Sequence, residues 1–289
     1  MSGRTYTEFQ ISEKSMDVGG VNIAYTDTGP QDGRVLLCVH GLLSNGRDYD
    51  FLARHMASRG YRVLSVDLPG RGRSDQLSSS DLYILPTYIP YILSVIAAEI
   101  GTKPFDWLGV SLGGMIAMAC HAMDGINLER IILVDIGAEI SAQALDRIAK
   151  FAKLPIEFTN KEDAVAFLKM RCASWGITDE AIWDHLITYN LVERYDGRYC
   201  LHYDSAIGVA INDTNETVVL WDSWGQIKQH VLLIRGEESD LLPTVVAQKM
   251  IESYQGKSIK EIVFEGCGHV PNLMQTDHIE VVAAWLCDG

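Results

Sequence analysis

The strongest constraint on the fold is a succession of short, almost continuously apolar runs, each closed by turn residues. Residues 34–39 (RVLLCV) end at His40-Gly41, 62–66 (RVLSV) end at Asp67-Leu68-Pro69-Gly70, and 105–109 (FDWLG) run into Val110-Ser111. Residues 130–134 (RIILV) end at Asp135, 231–235 (VLLIR) at Gly236, and 259–264 (IKEIVF) at Glu265-Gly266. Runs this short, without polar alternation, fit strands covered on both faces, which is the environment of a parallel sheet. Residues 21–26 alternate polar and apolar, as a half-buried strand does. Helical periodicity fills the gaps at 48–58, 87–100, 112–123, 243–254 and 277–286. Pro243 suits a first helical turn, where its missing N–H has no partner to lose. The repetition predicts an α/β domain with helices on both faces of the sheet.

One stretch breaks the pattern. Residues 140–225 show helical periodicity and no strong buried strand, and they hold Trp175, Trp183, Trp221 and Trp224, four of the six tryptophans. An excursion of this size between two core strands predicts an inserted helical cap. The expected division is a core of residues 1–139 and 226–289 with a cap of 140–225. An aromatic side chain in such a segment more often packs its own core than touches a ligand. Trp175 and Trp183 are the candidates for the second role.

Composition narrows the function classes. Apolar residues make up 47% of the 289-residue chain and charged residues 21%, enough material for a sizeable core. The formal charge of −14 repels a phosphate backbone and disfavours anionic lipid, so neither nucleic acid nor a membrane surface is an expected partner. The six cysteines are scattered with no C-x-x-C and read as buried hydrophobes in a reducing compartment rather than as a disulfide set. Residues 1–20 are polar and mixed in charge, which predicts no signal peptide. The apolar stretch 89–100, interrupted by Pro90, Ser94 and Glu99, is too short to span a bilayer. The expectation is a cytoplasmic protein.

The sharpest chemical signal is Gly109-Val110-Ser111-Leu112-Gly113, placed between a strand and a helix. A serine on such a turn is lifted off the sheet edge, and its neighbours two positions away must be small for the turn to close. Serine is a weak nucleophile and needs a base. His269, in Gly266-Cys267-Gly268-His269-Val270-Pro271 after the last strand, is the candidate, because sites in open α/β sheets form at the carboxyl ends of strands. His202, in the cap, is a second histidine able to face a pocket. The base in turn needs an acid. Asp240, in Gly236-Glu237-Glu238-Ser239-Asp240, is preferred, with Asp135 as the competitor; Glu237 and Glu238 read as solvated. The order Ser111, Asp240, His269 fits the serine–acid–histidine order. Donors for an oxyanion are expected from the backbone N–H groups of Leu42 and Leu112, with Leu43 next in line. Leu43, Val110, Trp175, Trp183 and Val270 are the expected substrate-contacting residues. No metal-ligand spacing stands out.

Taken together, His40-Gly41, the segment Asp67-Leu68-Pro69-Gly70-Arg71-Gly72-Arg73-Ser74-Asp75, the elbow at 109–113, Gly236 to Asp240 and Gly268-His269-Val270-Pro271 resemble the α/β-hydrolase fold family over nearly the whole chain outside the cap. The resemblance implies a mostly parallel eight-stranded sheet, a helical cap inserted after the sixth strand, a Ser111–His269–Asp240 triad and no cofactor. It marks residues 67–75 as turn scaffolding. Relatives that use an aspartate nucleophile, the haloalkane dehalogenases and epoxide hydrolases, are excluded by Ser111. Bacterial carboxylesterases and C–C bond hydrolases with small caps are the nearest in kind. Val110 and Leu42-Leu43 depart from the C–C hydrolase pattern. The expected activity is ester hydrolysis on a small-molecule ester or related carbonyl substrate. The alternatives are C–C hydrolysis of a product of aromatic ring cleavage, with Arg171 or Arg194 for its carboxylate, and a ligand receptor of the same fold. A homodimer stays open.

Overall fold

The computed structural model describes residues 9–211 and 216–288. The chain opens with a hairpin, β1 (Ser12–Val18) and β2 (Val21–Thr28), followed by β3 (Arg34–Val39), α1 (Asp50–Ser58), β4 (Tyr61–Val66), α2 (Leu85–Glu99), β5 (Phe105–Val110), α3 (Leu112–Cys120) and β6 (Leu128–Val134). A long insertion then carries β7 (Glu139–Ile140), α4 (Ala142–Ala152), β8 (Glu157–Phe158), α5 (Lys161–Arg171), α6 (Glu180–Asn190), β9 (Leu191–Glu193), β10 (Tyr199–Leu201), α7 (Ala206–Ala210), β11 (Val218–Val219) and α8 (Trp221–Gln226). The chain returns to the sheet with β12 (His230–Gly236), α9 (Thr244–Ser253), β13 (Ser258–Phe264) and α10 (Thr276–Asp288).

Eight strands form one sheet in the order β1-β2-β4-β3-β5-β6-β12-β13. Strands β4 through β13 in that order run parallel, and the β1–β2 hairpin adds on antiparallel. The apolar runs fill the centre: Leu36, Leu37, Leu108, Ile132, Leu133, Leu232 and Leu233 are all fully buried. Burying one such side chain stabilises by roughly 1.5–3 kcal/mol, which is why these runs become central strands. Charged residues in and beside these strands are paired. Arg34 Nε donates to Asp106 Oδ2 at 2.6 Å, and Arg62 Nε donates to Asp27 Oδ1 at 2.9 Å.

The register fixes where a site can form. Val39 lies opposite Gly109, Val110 opposite Val134, Val134 opposite Ile234, and Gly236 opposite Phe264. The carboxyl ends of five strands are therefore level, and the residues that follow them share one edge.

Three features differ from the sequence reading. The edge strand β1 was not expected, because its SEKSMDV pattern is largely polar and it covers only the rim of the sheet. The inserted segment is not purely helical: β8, β10 and β9 form a three-stranded antiparallel sheet, and β11 pairs with β7. Pro243 stands just outside α9 as its N-cap, in extended conformation, rather than inside the first turn. All six cysteines are free. Among the described residues, no helix is long and apolar enough to cross a membrane.

Candidate active site

Ser111 occupies the turn from β5 to α3 at φ 48° and ψ −110°, in the positive-φ region that a non-glycine residue rarely adopts. The backbone around it explains how this is held. The Ser111 N–H donates to the Val134 carbonyl at 2.9 Å, and the Ser111 carbonyl accepts from Gly114 and Met115 of α3. A Cβ on Gly113 would stand 2.0 Å from the Val39 carbonyl oxygen, and one on Gly109 would stand 2.4 Å from Gly113. The helix therefore packs directly on strand backbone, and only glycine fits at these two positions.

His269 and its acid meet across the same edge. Nδ1 of His269 lies 2.7 Å from Oδ2 of Asp135. Asp135 is fully buried, at φ 52°, directly after β6. Its carboxylate also accepts from the Ser239 hydroxyl at 2.8 Å and faces the Gly236 N–H at 3.4 Å. A carboxylate facing Nδ1 of a histidine orients the ring and fixes its tautomer.

Asp240 is not part of this arrangement. The turn after β12 sends Ser239 inward to Asp135 and Asp240 outward, where it is exposed and held by Arg147 through two contacts of 2.6 Å. The expected pairing of His269 with Asp240 is thus corrected to His269 with Asp135. The order serine, acid, histidine is kept by either aspartate, so chain order did not discriminate between them.

The loop after β3 faces Ser111: a Cβ on Gly41 would come within 3.7 Å of the Ser111 Cβ. His40 is buried behind it, with Nδ1 2.6 Å from the Gly41 carbonyl and Nε2 accepting the Leu68 N–H at 2.9 Å. Burial pushes its pKa down to about 3, so the ring is neutral and serves as a brace. Two guanidinium groups hold the next two peptides. Arg71 Nε donates to the Leu42 carbonyl at 2.9 Å, and Arg171 Nη1 donates to the Leu43 carbonyl at 3.0 Å. Among the described residues, the N–H groups of Leu42 and Leu112 make no hydrogen bond to another protein group. The segment 67–75 is turn scaffolding: the Asp67 carboxylate accepts the N–H groups of Gly46 and Arg73.

A pocket with room for about 150 Å³ contains both Ser111 and His269 in its wall. Of the expected contact residues, Leu43, Val110, Trp175 and Val270 line it, as does Leu42. Trp183 does not; the Lys169 ammonium stands over its ring at 5.3 Å. His202 is turned to the Tyr189 carbonyl instead, and Arg194 pairs with Glu157 on the small sheet. Arg171 does line the pocket. The sequence reading missed Arg147, Ile148 and Phe151, which α4 contributes. The cue available in the sequence was the strong one-sided apolar pattern of ALDRIAKFA, but nothing in it says which way the helix faces.

The insertion also grips the histidine loop. Gly268 N–H donates to the Ser174 carbonyl at 2.8 Å, the Ser174 hydroxyl donates to the His269 carbonyl at 3.0 Å, and Asn272 Nδ2 donates to the Trp175 carbonyl at 2.7 Å.

Comparison with known proteins places the chain in a family. The model of the alpha/beta hydrolase family matches residues 36–285. The 3-hydroxybutyrate-oligomer hydrolase of Cupriavidus necator is 31% identical over 269 residues, covering 90% of each chain. A provisionally named hydrolase from Rickettsia typhi superposes with a TM-score of 0.88 at 30% identity, covering 97% of this chain and 99% of its own. An alpha/beta hydrolase from Novosphingobium aromaticivorans shares the fold with a TM-score of 0.80 at 24% identity, covering 96% and 98%. The motifs, the sheet order and these matches converge on one statement: the chain belongs to the alpha/beta hydrolase family.

Proposed function

We propose that the protein is a serine-dependent carboxylic ester hydrolase that works through an acyl-enzyme on Ser111. The observation that carries this reading is the 2.7 Å contact between His269 and the buried Asp135, with His269 and the strained Ser111 in the wall of one pocket. His269 Nε2 takes the Ser111 proton as Oγ attacks the ester carbonyl carbon. Asp135 stabilises the imidazolium that forms. The Leu42 and Leu112 N–H groups receive the oxyanion, and α3 adds its N-terminal dipole. The tetrahedral intermediate collapses, His269 gives its proton to the departing alkoxide, and an alcohol leaves. Water enters, loses a proton to His269 and attacks the acyl carbon. The second collapse returns the proton to Ser111 and releases the acid. In this reading the insertion is a cap that supplies pocket walls and steadies the histidine loop.

The Cupriavidus relative suggests the substrate class for a first assay: short oligoesters of small hydroxyacids. One observation favours a second reading. Arg171 in the pocket wall suits a substrate carboxylate, as C–C bond hydrolysis of an acidic diketone requires. The deciding experiment is fluorophosphonate labelling with site mapping, alongside turnover of p-nitrophenyl esters of increasing chain length, on wild type and Ser111→Ala. Labelling at Ser111 with ester turnover that is lost in the variant is the expected result. Labelling without ester turnover would move the reading to C–C cleavage. An unlabelled Ser111 would end the proposal.

A further inference from the structure

The histidine loop is anchored to the core at both ends and not in its middle. The Glu238 N–H donates to the Cys267 carbonyl at 2.9 Å, and the His278 ring contacts the Asn272 carbonyl. Between these anchors the backbone of residues 268–271 makes two hydrogen bonds among the described residues, and both go to Ser174 of the insertion. The Gly268 N–H donates to the Ser174 carbonyl at 2.8 Å, and the Ser174 hydroxyl donates to the His269 carbonyl at 3.0 Å. The approach is close: a Cβ on Gly268 would stand 3.0 Å from the Ser174 Cβ. Ser174 is itself exposed, so burial of its side chain does not account for the contact. Asp135 holds the ring at Nδ1, and Ser174 holds the peptide that carries the ring.

The same stretch walls the pocket. Ser174 and Trp175 line it beside Ser111 and His269. The Trp175 carbonyl accepts Asn272 Nδ2 at 2.7 Å, so a residue of the pocket wall also holds the far end of the histidine loop. On the other side, Arg171 donates to the Leu43 carbonyl at 3.0 Å, on the loop after β3 that faces Ser111. Residues 171–175 thus bridge the two loops that flank the nucleophile and touch the space an acyl group would fill. Misplacing a catalytic group by about 1 Å can cost roughly 10²-fold in rate. Contacts that strengthen only in the transition state raise kcat, whereas contacts already complete in the bound substrate lower KM. We propose that Ser174 is a positioning residue for His269 and that, through Ser174 and Trp175, the fit of the acyl group acts on kcat rather than on KM. This rests on the reading of Ser111 as an ester-cleaving nucleophile.

The test compares wild type, Ser174→Ala and Ser174→Thr in three readouts. These are kcat and KM for p-nitrophenyl acetate and butyrate, the rate of fluorophosphonate labelling at Ser111, and the low-field NMR signal of the proton between His269 Nδ1 and Asp135. Ser174→Ala should lower the butyrate kcat and the labelling rate about five- to tenfold, the range of one lost hydrogen bond, with KM within about twofold of wild type. The proton signal should broaden, and the kcat advantage of butyrate over acetate should shrink. Ser174→Thr keeps the hydroxyl and should stay within about twofold of wild type. Unchanged kcat and labelling in Ser174→Ala would mean that water holds the loop as well, and a loss confined to KM would make Ser174 a plain substrate contact; either overturns the positioning role. Ser174→Thr as impaired as Ser174→Ala would also overturn it, and an undiminished butyrate advantage would refute the coupling to the acyl group. Labelling that slows in Ser174→Ala, with neither ester hydrolysed by wild type, leaves the positioning role standing and refutes the ester reading. Ester turnover with equal labelling in all three proteins does the reverse. If wild-type Ser111 takes no label, the proton signal decides: broadening confined to Ser174→Ala supports the positioning role, and one signal common to all three refutes it.

Discussion

The turns that leave β6 and β12 are neighbours at one sheet edge, and each carries an aspartate within reach of a nearby loop, yet the two side chains have opposite fates. Asp135 is fully buried, sits at positive φ and meets His269, Ser239 and the Gly236 N–H. Asp240 is exposed and spends both oxygens on Arg147. The difference lies in which residue has donors waiting. Burying a carboxylate is tolerable only where hydrogen bonds replace its water, and the β12 turn supplies those donors to Asp135 through Ser239 and Gly236. The second turn thus supports the first instead of competing with it.

The largest test of that contrast is Asp135→Asn, which keeps the shape and loses the charge and the tautomer control. It should lower kcat for a p-nitrophenyl ester by about 10³- to 10⁴-fold with the fold intact by circular dichroism. A loss below tenfold would deny Asp135 its role. Trp175→Ala comes next, since Trp175 lines the pocket and Trp183 does not. Removing that wall should shift the preferred acyl chain length and change kcat/KM for short esters by about tenfold, whereas Trp183→Ala should leave the profile where it was. Ser239→Ala removes one of the donors to Asp135, and a loss of about five- to tenfold in kcat is expected from one missing hydrogen bond. Wild-type rates in this variant would show that Ser239 is not needed to hold the carboxylate.

Stability should depend on His40 in a defined direction. Its folded pKa is pushed down to about 3 by burial, while the unfolded ring titrates near its ordinary value of about 6.5. The unfolded chain therefore binds the extra proton below that pH. The contribution is complete above about pH 6.5 and declines as pH falls toward 3, by about 2 kcal/mol between pH 7 and 5. Asp48, raised to about 6, acts in the opposite sense: its contribution is present below its ordinary pKa and is lost as pH rises through 6. Urea unfolding of wild type and His40→Asn at pH 7 and 5 isolates the histidine, and the variant should show the shallower acid loss. Equal slopes would mean that His40 is not kept neutral by burial. The smallest effect belongs to Asp240→Asn, whose exposed pair with Arg147 is worth about 0–1 kcal/mol and should change turnover less than about twofold.

How much of this was legible in the sequence follows the same division between buried and exposed. The central strands were readable because burial on both faces leaves continuous apolar runs, and the glycines at 109 and 113 announced a tight turn around Ser111. His269 was readable from its place after the last strand. The strand β1 escaped because an edge strand covered on one side keeps a polar pattern, and the two- and three-residue strands of the insertion are too short to show any period. Asp135 was visible as a strand-terminal aspartate, but both acids obeyed the same chain order. The choice between them depends on Ser239 turning inward, a packing outcome that no spacing records. The pocket walls from α4 were hidden for a similar reason, since a helix pattern tells which residues share a face and not what that face meets.

In the proposed mechanism His269 and Asp135 together activate Ser111. The most direct measurement is the rate of fluorophosphonate labelling at Ser111, mapped by mass spectrometry, in wild type, Asp135→Asn and Asp240→Asn. Rapid labelling of wild type and Asp240→Asn is expected, with labelling slowed by about 10³-fold or more in Asp135→Asn. Slow labelling of Asp240→Asn with a wild-type rate in Asp135→Asn would contradict it.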